Sequence, residues 1–225
     1  VTGQPILRPL VYQHRNDPRS VACDDQFYIG DWLLMAPGYR QGEESRTVYL
    51  PEGNWINLWT EEPHHGPADI DVSTPILSLQ GVAVFVRQGA ILPRQPVTQC
   101  LDNDQPVELT FDIYPGNRSR FCLHEAVGQV SELAAVREDG RLLVSLQNMA
   151  PVDRRYTACI HGVDAARDVA ISGGEEDRSR RRYDPDRRTF TLVTTVPAGS
   201  RLDVALAEGK EPHGSACSTG TVRPA

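Results

Sequence analysis

Three aspartates fall close together at Asp24, Asp25 and Asp31. Paired carboxylates can work as acid and base on either side of a glycosidic bond. The three lie within eight residues on a loop, and capping and turn duty for Cys-Asp-Asp-Gln-Phe is the cheaper explanation. His64-His65 could suggest a metal, but adjacent residues on an extended segment face opposite sides, so one ion would not take both. The pair reads as part of a solvated loop, Glu61 to Asp69. Asp102-Asn103-Asp104-Gln105 resembles the opening of a calcium loop. The glycine and the distal bidentate glutamate of that motif are missing, so a turn is the better reading. Glu175 to Arg188 mixes both charge signs. A phosphate or nucleic-acid patch is the sharper reading; a solvated hairpin with ion pairs of about 0–1 kcal/mol each is the plainer one, and the interleaved acids and overall negative charge favour it. No Ser-His-Asp spacing, Gly-rich phosphate loop or HExxH motif is present. The sequence offers no catalytic residue, no metal set and no cofactor motif.

One aromatic pair remains. In "SRTVYLPEGNWINLW", Trp55 and Trp59 lie four residues apart. On a strand that spacing puts both rings on one face. Such a pair could stack on sugar rings and bind carbohydrate, or it could pack, each ring burying about 150–250 Å². Packing is the preferred reading, with carbohydrate binding by Trp55 and Trp59 as the second.

The chain that must position these residues has 225 residues and a net charge of −7. That balance argues against nucleic acid and anionic membrane as partners. Lys210 is the one lysine. Cys23, Cys100, Cys122, Cys159 and Cys217 are scattered without CxxC spacing, which reads as free thiols in a reducing compartment such as the cytoplasm. The sequon Asn117-Arg118-Ser119 points the other way, and the compartment stays open. No run approaches the roughly 18 apolar residues of a membrane span, and no signal-peptide pattern is visible. The chain enters an apolar run at once, without a methionine, and reads as a piece of something longer.

Short apolar runs punctuated by turn residues predict a mainly β chain. "PILRPLVY" and "WLLMAP" read as strands. "RTVYL" and "NWINLW" read as a hairpin about Pro51-Glu52-Gly53. "GVAVFVRQGAILP" gives two strands around Gln88-Gly89. From "VELTFDIYP" onward, strands recur at sandwich spacing, with a hairpin at Asp139-Gly140 and a turn at Asp184-Pro185-Asp186. Beyond Glu208 the polar tail reads as disordered.

The motifs resemble glycoside hydrolase family 31. Gly3, Pro5, Arg8-Pro9-Leu10, Asp25-Gln26-Phe27, Gly30-Asp31, Leu33-Leu34 and Ala36-Pro37 follow the family's order. "SRTVYLPEGNWINLWTEEPHHG" is similar to its R-x-V-Y-L-P-x-G-x-W-x-D-x-W-T-G stretch, and "VFVRQGAILP" to its V-F-V-R-x-G-x-I-I-P. "DIYPGNRSRFCLHEAVG" resembles a further segment, with His124 for a tyrosine and Ala126-Val127 for an acidic pair. The resemblance implies the end of a (β/α)8 barrel over 1–30, a small antiparallel β domain over 31–96, an antiparallel β-sandwich over 97–208, and a tail over 209–225. It implies a parent that hydrolyses α-O-glycosidic bonds with retention. The parent's two catalytic aspartates lie on barrel strands ahead of Val1, so no residue here inherits a catalytic role. The implied partner is that missing barrel, in the same chain or a separate one, with an α-linked oligosaccharide as a further candidate. Trp55-Ile56-Asn57, Thr60-Glu61 and Ala36-Pro37-Gly38 depart from the family pattern. Two other readings stand beside the non-catalytic domain: a free-standing carbohydrate-binding module, and a scaffold completing a separately encoded barrel.

Overall fold

Runs that alternate inward and outward side chains form three sheets. The computed structural model describes residues 3–40, 42, 44–74, 81–99, 106–125, 128–163 and 166–208. Asp102 to Gln105, Cys100, Cys217 and the 209–225 tail lie outside the described residues. The first sheet contains β1 (Leu7–Pro9), β2 (Phe27–Ile29), β3 (Leu33–Pro37), β4 (Ser45–Asn57), β5 (Pro63–Ser73) and β6 (Val82–Arg87), in the order β1-β2-β3-β6-β4-β5. One short helix, α1 (Pro18–Ala22), starts where the Asp17 carboxylate accepts from the Arg19 amide.

Register explains what the two faces of this sheet do. Arg8, Tyr28, Leu34, Phe85 and Asn57 are cross-strand partners in one row, and all are buried. They belong to the inner face, where Leu10, Val48, Leu50 and Trp55 complete the core. Leu7, Ile29, Leu33, Val86 and Ile56 form the adjacent row on the opposite face. That row runs from fully buried Val86 to Leu7 at 60% exposure. Pro9, Phe27, Met35 and Val84 form the next row on the same face.

Two sequence expectations change here. Pro51-Glu52-Gly53 does not reverse the chain. β4 runs straight through it, and the register with β5 shifts between Leu50 and Gly53. This is a bulge, which absorbs extra residues without a turn. Opposite it, a Cβ on Gly66 would lie 1.9 Å from the Pro51 carbonyl oxygen, so only glycine fits. The expected loop at His64-His65 is part of β5, a strand on the sheet edge, where proline and glycine are tolerated. The segment read as the end of a barrel forms β1, which pairs antiparallel with β2 at the other edge.

The remaining strands make a sandwich. One sheet has β9 (Arg118–His124), β10 (Val130–Glu138), β11 (Arg141–Gln147), β13 (Ala166–Ser172) and β17 (Arg201–Glu208), in the order β13-β17-β11-β10-β9. The other has β7 (Ile91–Arg94), β8 (Glu108–Ile113), β12 (Arg154–Ile160), β14 (Glu175–Glu176) and β16 (Thr189–Val196), in the order β14-β16-β12-β8-β7, with β15 (Arg182–Asp184) also on β16. Pairing is antiparallel apart from β8 and β12, which run parallel. Leu109, Phe111, Leu133, Val144, Tyr156, Leu192 and Val204 meet between the sheets, as inward residues of two packed sheets must. β7 belongs to this sandwich, and the chain passes from the first sheet to it through Gln88-Gly89-Ala90.

The two units are joined at that crossing. The Gly89 amide donates to the Tyr114 carbonyl (2.7 Å) and the Tyr114 amide to the Ala90 carbonyl (2.9 Å). Gly89 has φ +97°, and a Cβ on Gly116 would stand 3.2 Å from the Gly89 Cα, so the backbones pass too closely for side chains. Val86, Ala90 and Tyr114 form a small core between the units, with Trp32, Leu33, Ile56, Leu58 and Leu92 against it.

Candidate functional site

Trp55 lies at the centre of the first unit with no exposed surface. Its Nε1 donates to the Pro51 carbonyl at 2.8 Å, and its ring stacks on Tyr28 with centroids 6.1 Å apart. Tyr28 in turn stacks on His14, whose Nε2 meets the Tyr28 hydroxyl at 2.9 Å. Burial, helped by the positive Arg87, holds the His14 pKa below its ordinary value. Trp59 is different. β4 ends at Asn57, so Trp59 falls in the following turn. The residue is 37% exposed, and its Nε1 donates to the Val82 carbonyl at 2.8 Å. The two rings do not share a strand face.

The aspartate cluster is also divided. Asp25 accepts from Nη2 of buried Arg46 at 2.5 Å, and Asp31 pairs with Nη1 of buried Arg8. Both carboxylates compensate guanidinium groups that have left water. Asp24 lies in a shallow open pocket with Phe27, Pro37 and Tyr39. His64 turns inward, edge-on to Phe85, while His65 turns outward and donates from Nδ1 to Asn54 Oδ1 at 2.6 Å. The alternation of β5 separates the two rings. Among the described residues no group of three His, Cys, Asp or Glu side chains is placed to hold a metal. Burial raises the thiol pKa of Cys23 and of Cys159, which disfavours the reactive thiolate in both.

The most chemically varied region is the cleft of about 360 Å³ at the junction of the units. The β4–β5 turn gives Glu61 from one side; the end of β12 gives His161 from the other. The His161 ring stacks on Tyr114 with centroids 4.3 Å apart and planes 4° from parallel. Its Nδ1 faces Glu61 Oε2 at 3.4 Å and its Nε2 faces Asp112 Oδ1 at 3.2 Å. Asp112 also receives Arg94, with Nη2 to Oδ1 at 2.9 Å. Burial opposes ionisation of Asp112, but hydrogen bonds from His161 and Arg94 outweigh it and hold the carboxyl below its usual range. Burial pushes the Tyr114 phenol up. Asn54 Nδ2 donates to Gln88 Oε1 at 2.8 Å on the cleft wall. Neither Glu61 nor His161 stands out in the sequence, because only the junction brings them together. No helix among the described residues is long and apolar enough to cross a membrane.

Residues 3–92 match the glycosyl hydrolase family 31 C-terminal domain. Residues 3–92 are a family 31 C-terminal domain. It is 41% identical over 87 residues to a sulfoquinovosidase of Agrobacterium fabrum, covering 38% of this chain and 13% of that protein. It is 34% identical over 91 residues to an alpha-glucosidase of Saccharolobus solfataricus, covering 40% of this chain and 12% of that one. The chain spans about an eighth of the length of these curated relatives. Among solved structures it resembles a family 31 dextranase of Flavobacterium johnsoniae with TM-score 0.79 and 24% identity, over 92% of this chain and 29% of that one. An alpha-xylosidase of Xanthomonas citri gives TM-score 0.58 and 27% identity, over 69% and 18%. The family match begins at residue 3 and so includes β1.

Proposed function

We propose that this region does no chemistry itself and serves to seat and stabilise the catalytic barrel of a family 31 α-glycosidase. The parent reaction is retaining hydrolysis of α-O-glycosidic bonds. The single observation that carries this reading is the outer face of the first sheet. Its rows Leu7-Ile29-Leu33 and Phe27-Met35 continue from the buried junction into solvent. Ile6 is 73% exposed and Leu7 60%, beside this face. Covering apolar surface is worth about 25 cal/mol per Å², and a continuous apolar face of this kind marks a contact surface. The barrel is the partner that fits, and the curated relatives, several times longer than this chain, have room for it.

The carbohydrate-module reading has less support. Its platform needs two open rings, and Trp55 contributes none. The scaffold reading drew on an unpaired strand at "PILRPLVY"; β1 is paired with β2, and the Gly30 amide bonds the Ile6 carbonyl at 2.8 Å. The test has two arms. Hydrolysis of an aryl α-glucoside by this chain alone should stay at background, and turnover above it would overturn the proposal. Replacing Ile6 and Leu7, the exposed residues at this face, by serine should leave the isolated chain's stability within about 0.5 kcal/mol and lower that of the protein carrying the barrel. Equal effects in both would count against the barrel contact.

A further inference from the structure

At the junction of the units one histidine touches two acids at once. His161 directly follows β12, and its side chain is 11% exposed. Its Nε2 lies 3.2 Å from Asp112 Oδ1 on β8, within the sandwich, and its Nδ1 lies 3.4 Å from Glu61 Oε2 on the β4–β5 turn of the first unit. An ionised carboxylate only accepts hydrogen bonds, and a neutral imidazole has one N–H to give. Both contacts are therefore hydrogen bonds only when the ring is doubly protonated. A different partner stands on the Nδ1 side. The Thr189 hydroxyl on β16 is 3.3 Å from Nδ1 and 3.0 Å from the Arg187 carbonyl, to which it donates. A hydroxyl can rotate to donate to a bare ring nitrogen instead. The neutral ring thus has a fully satisfied arrangement, with Nε2–H on Asp112 and Nδ1 accepting from Thr189, and Glu61 has no place in it.

The two acids are held unequally. Asp112 is fixed by Arg94 of β7, with Nη2 to Oδ1 at 2.9 Å. Glu61 stands on a turn, and among the described residues its carboxylate bonds only to His161. With 18% of that side chain exposed, its charge is costly to keep in place without a partner. The parallel stack on Tyr114 holds the ring itself still. The other titratable or charged groups of the cleft are His64, His65, Arg137, Asp186, Arg187 and Arg188. The arginines repel a charged ring, whereas Glu61 and Asp112 touch it and favour it. We propose that His161 is a proton-operated latch between the two units: the charged ring ties the β4–β5 turn to the sandwich, and the neutral ring exchanges Glu61 for Thr189 and lets the turn go. Histidine side chains ordinarily change charge between about pH 5 and 8, so the latch closes on the acid side of neutrality and opens on the alkaline side.

The test reads hydrogen exchange by NMR on the full chain at about pH 5.5 and about pH 8, a range in which carboxylates ordinarily stay ionised. The reporters are the amides of Asn57 and Glu61, which close the turn on the Glu62 and Asn57 carbonyls at 2.9 and 2.8 Å. Corrected for the intrinsic rate at each pH, their protection should fall at least fivefold from the lower pH to the higher, while that of the β10–β11 ladder stays within twofold. Glu61→Gln and His161→Gln should each abolish the fall. His65→Gln, which changes an exposed histidine of the same cleft bonded to Asn54, should keep it. Circular dichroism at both pH values confirms that each variant is folded, and Glu61→Gln, on a surface turn, tests the latch even where His161→Gln unfolds. A fall of less than fivefold, an equal fall in the β10–β11 ladder, a fall that persists in folded Glu61→Gln or His161→Gln, or one that vanishes in His65→Gln would overturn the proposal.

Discussion

Arg154 and Glu125 meet inside the sandwich as a two-pronged ion pair, Nη1 to Oε1 at 2.8 Å and Nη2 to Oε2 at 3.1 Å. Their side chains are 0% and 1% exposed. Ser131 donates to the same carboxylate, and its oxygen accepts from the Met149 amide. Tyr156 donates to Asn148 Oδ1 at 3.0 Å alongside, and Asn148 Nδ2 donates to the Val196 carbonyl at 2.9 Å. The pair is thus held by a network that ties the loop after β9 to β12 and to the end of β16.

Removing one partner leaves the other charge buried and alone. Glu125→Gln is expected to cost about 3–5 kcal/mol of unfolding free energy, and the double change Glu125→Leu with Arg154→Met clearly less. Urea denaturation of the single and double variants checks this. A double variant no more stable than the single one would show that the hydrogen-bond network, rather than the unpaired charge, dominates.

Trp55→Ala and Trp59→Ala should separate sharply. The first opens a cavity in the core and is expected to cost about 3–5 kcal/mol. The second removes a partly exposed ring and one hydrogen bond, at about 1 kcal/mol. Maltose titrated into the unmodified chain should give flat heats; a saturable signal lost only in Trp59→Ala would restore a carbohydrate role for that residue.

Acid stability follows from Asp112. Its folded-state carboxyl titrates below the ordinary value. A lowered pKa adds stability that is fully present above the unfolded value of about 3.9 and is lost as pH falls through the folded one. Asp112→Asn should therefore be less stable than the unmodified chain at pH 7, and the gap should close toward about pH 3. Denaturation midpoints at pH 7, 5 and 3 measure it. A gap independent of pH would mean that packing, not charge, is what Asp112 supplies.

Much of the fold could be read from the residues, and the failures have physical causes. The β10–β11 hairpin was marked by Asp139-Gly140, whose positive φ values match the tip. Pro51-Glu52-Gly53 carries the same turn chemistry but is overruled by its neighbours, because Val48 and Leu50 before it and Trp55 after it all belong in one core. Local propensity gave way to burial. Pro63 and Pro67 made β5 look like loop, and only its place at the sheet edge excuses them. Glu125 lies within a segment that resembles the family, but its partner Arg154 is 29 residues away and depends on sandwich closure. The cleft was least legible. Glu61 and His161 meet only where the β4–β5 turn reaches the end of β12.

The row from Leu7 to Val86 has a practical consequence for anyone wishing to excise the first unit. A cut just after Arg87 would strip the cover from Val86, Ile56 and Leu58 while leaving the hydrophobic strip at Leu7 and Ile29 as it was. The shortened polypeptide would then be sticky across its whole outer sheet, and would need resurfacing at both ends before it stayed in solution.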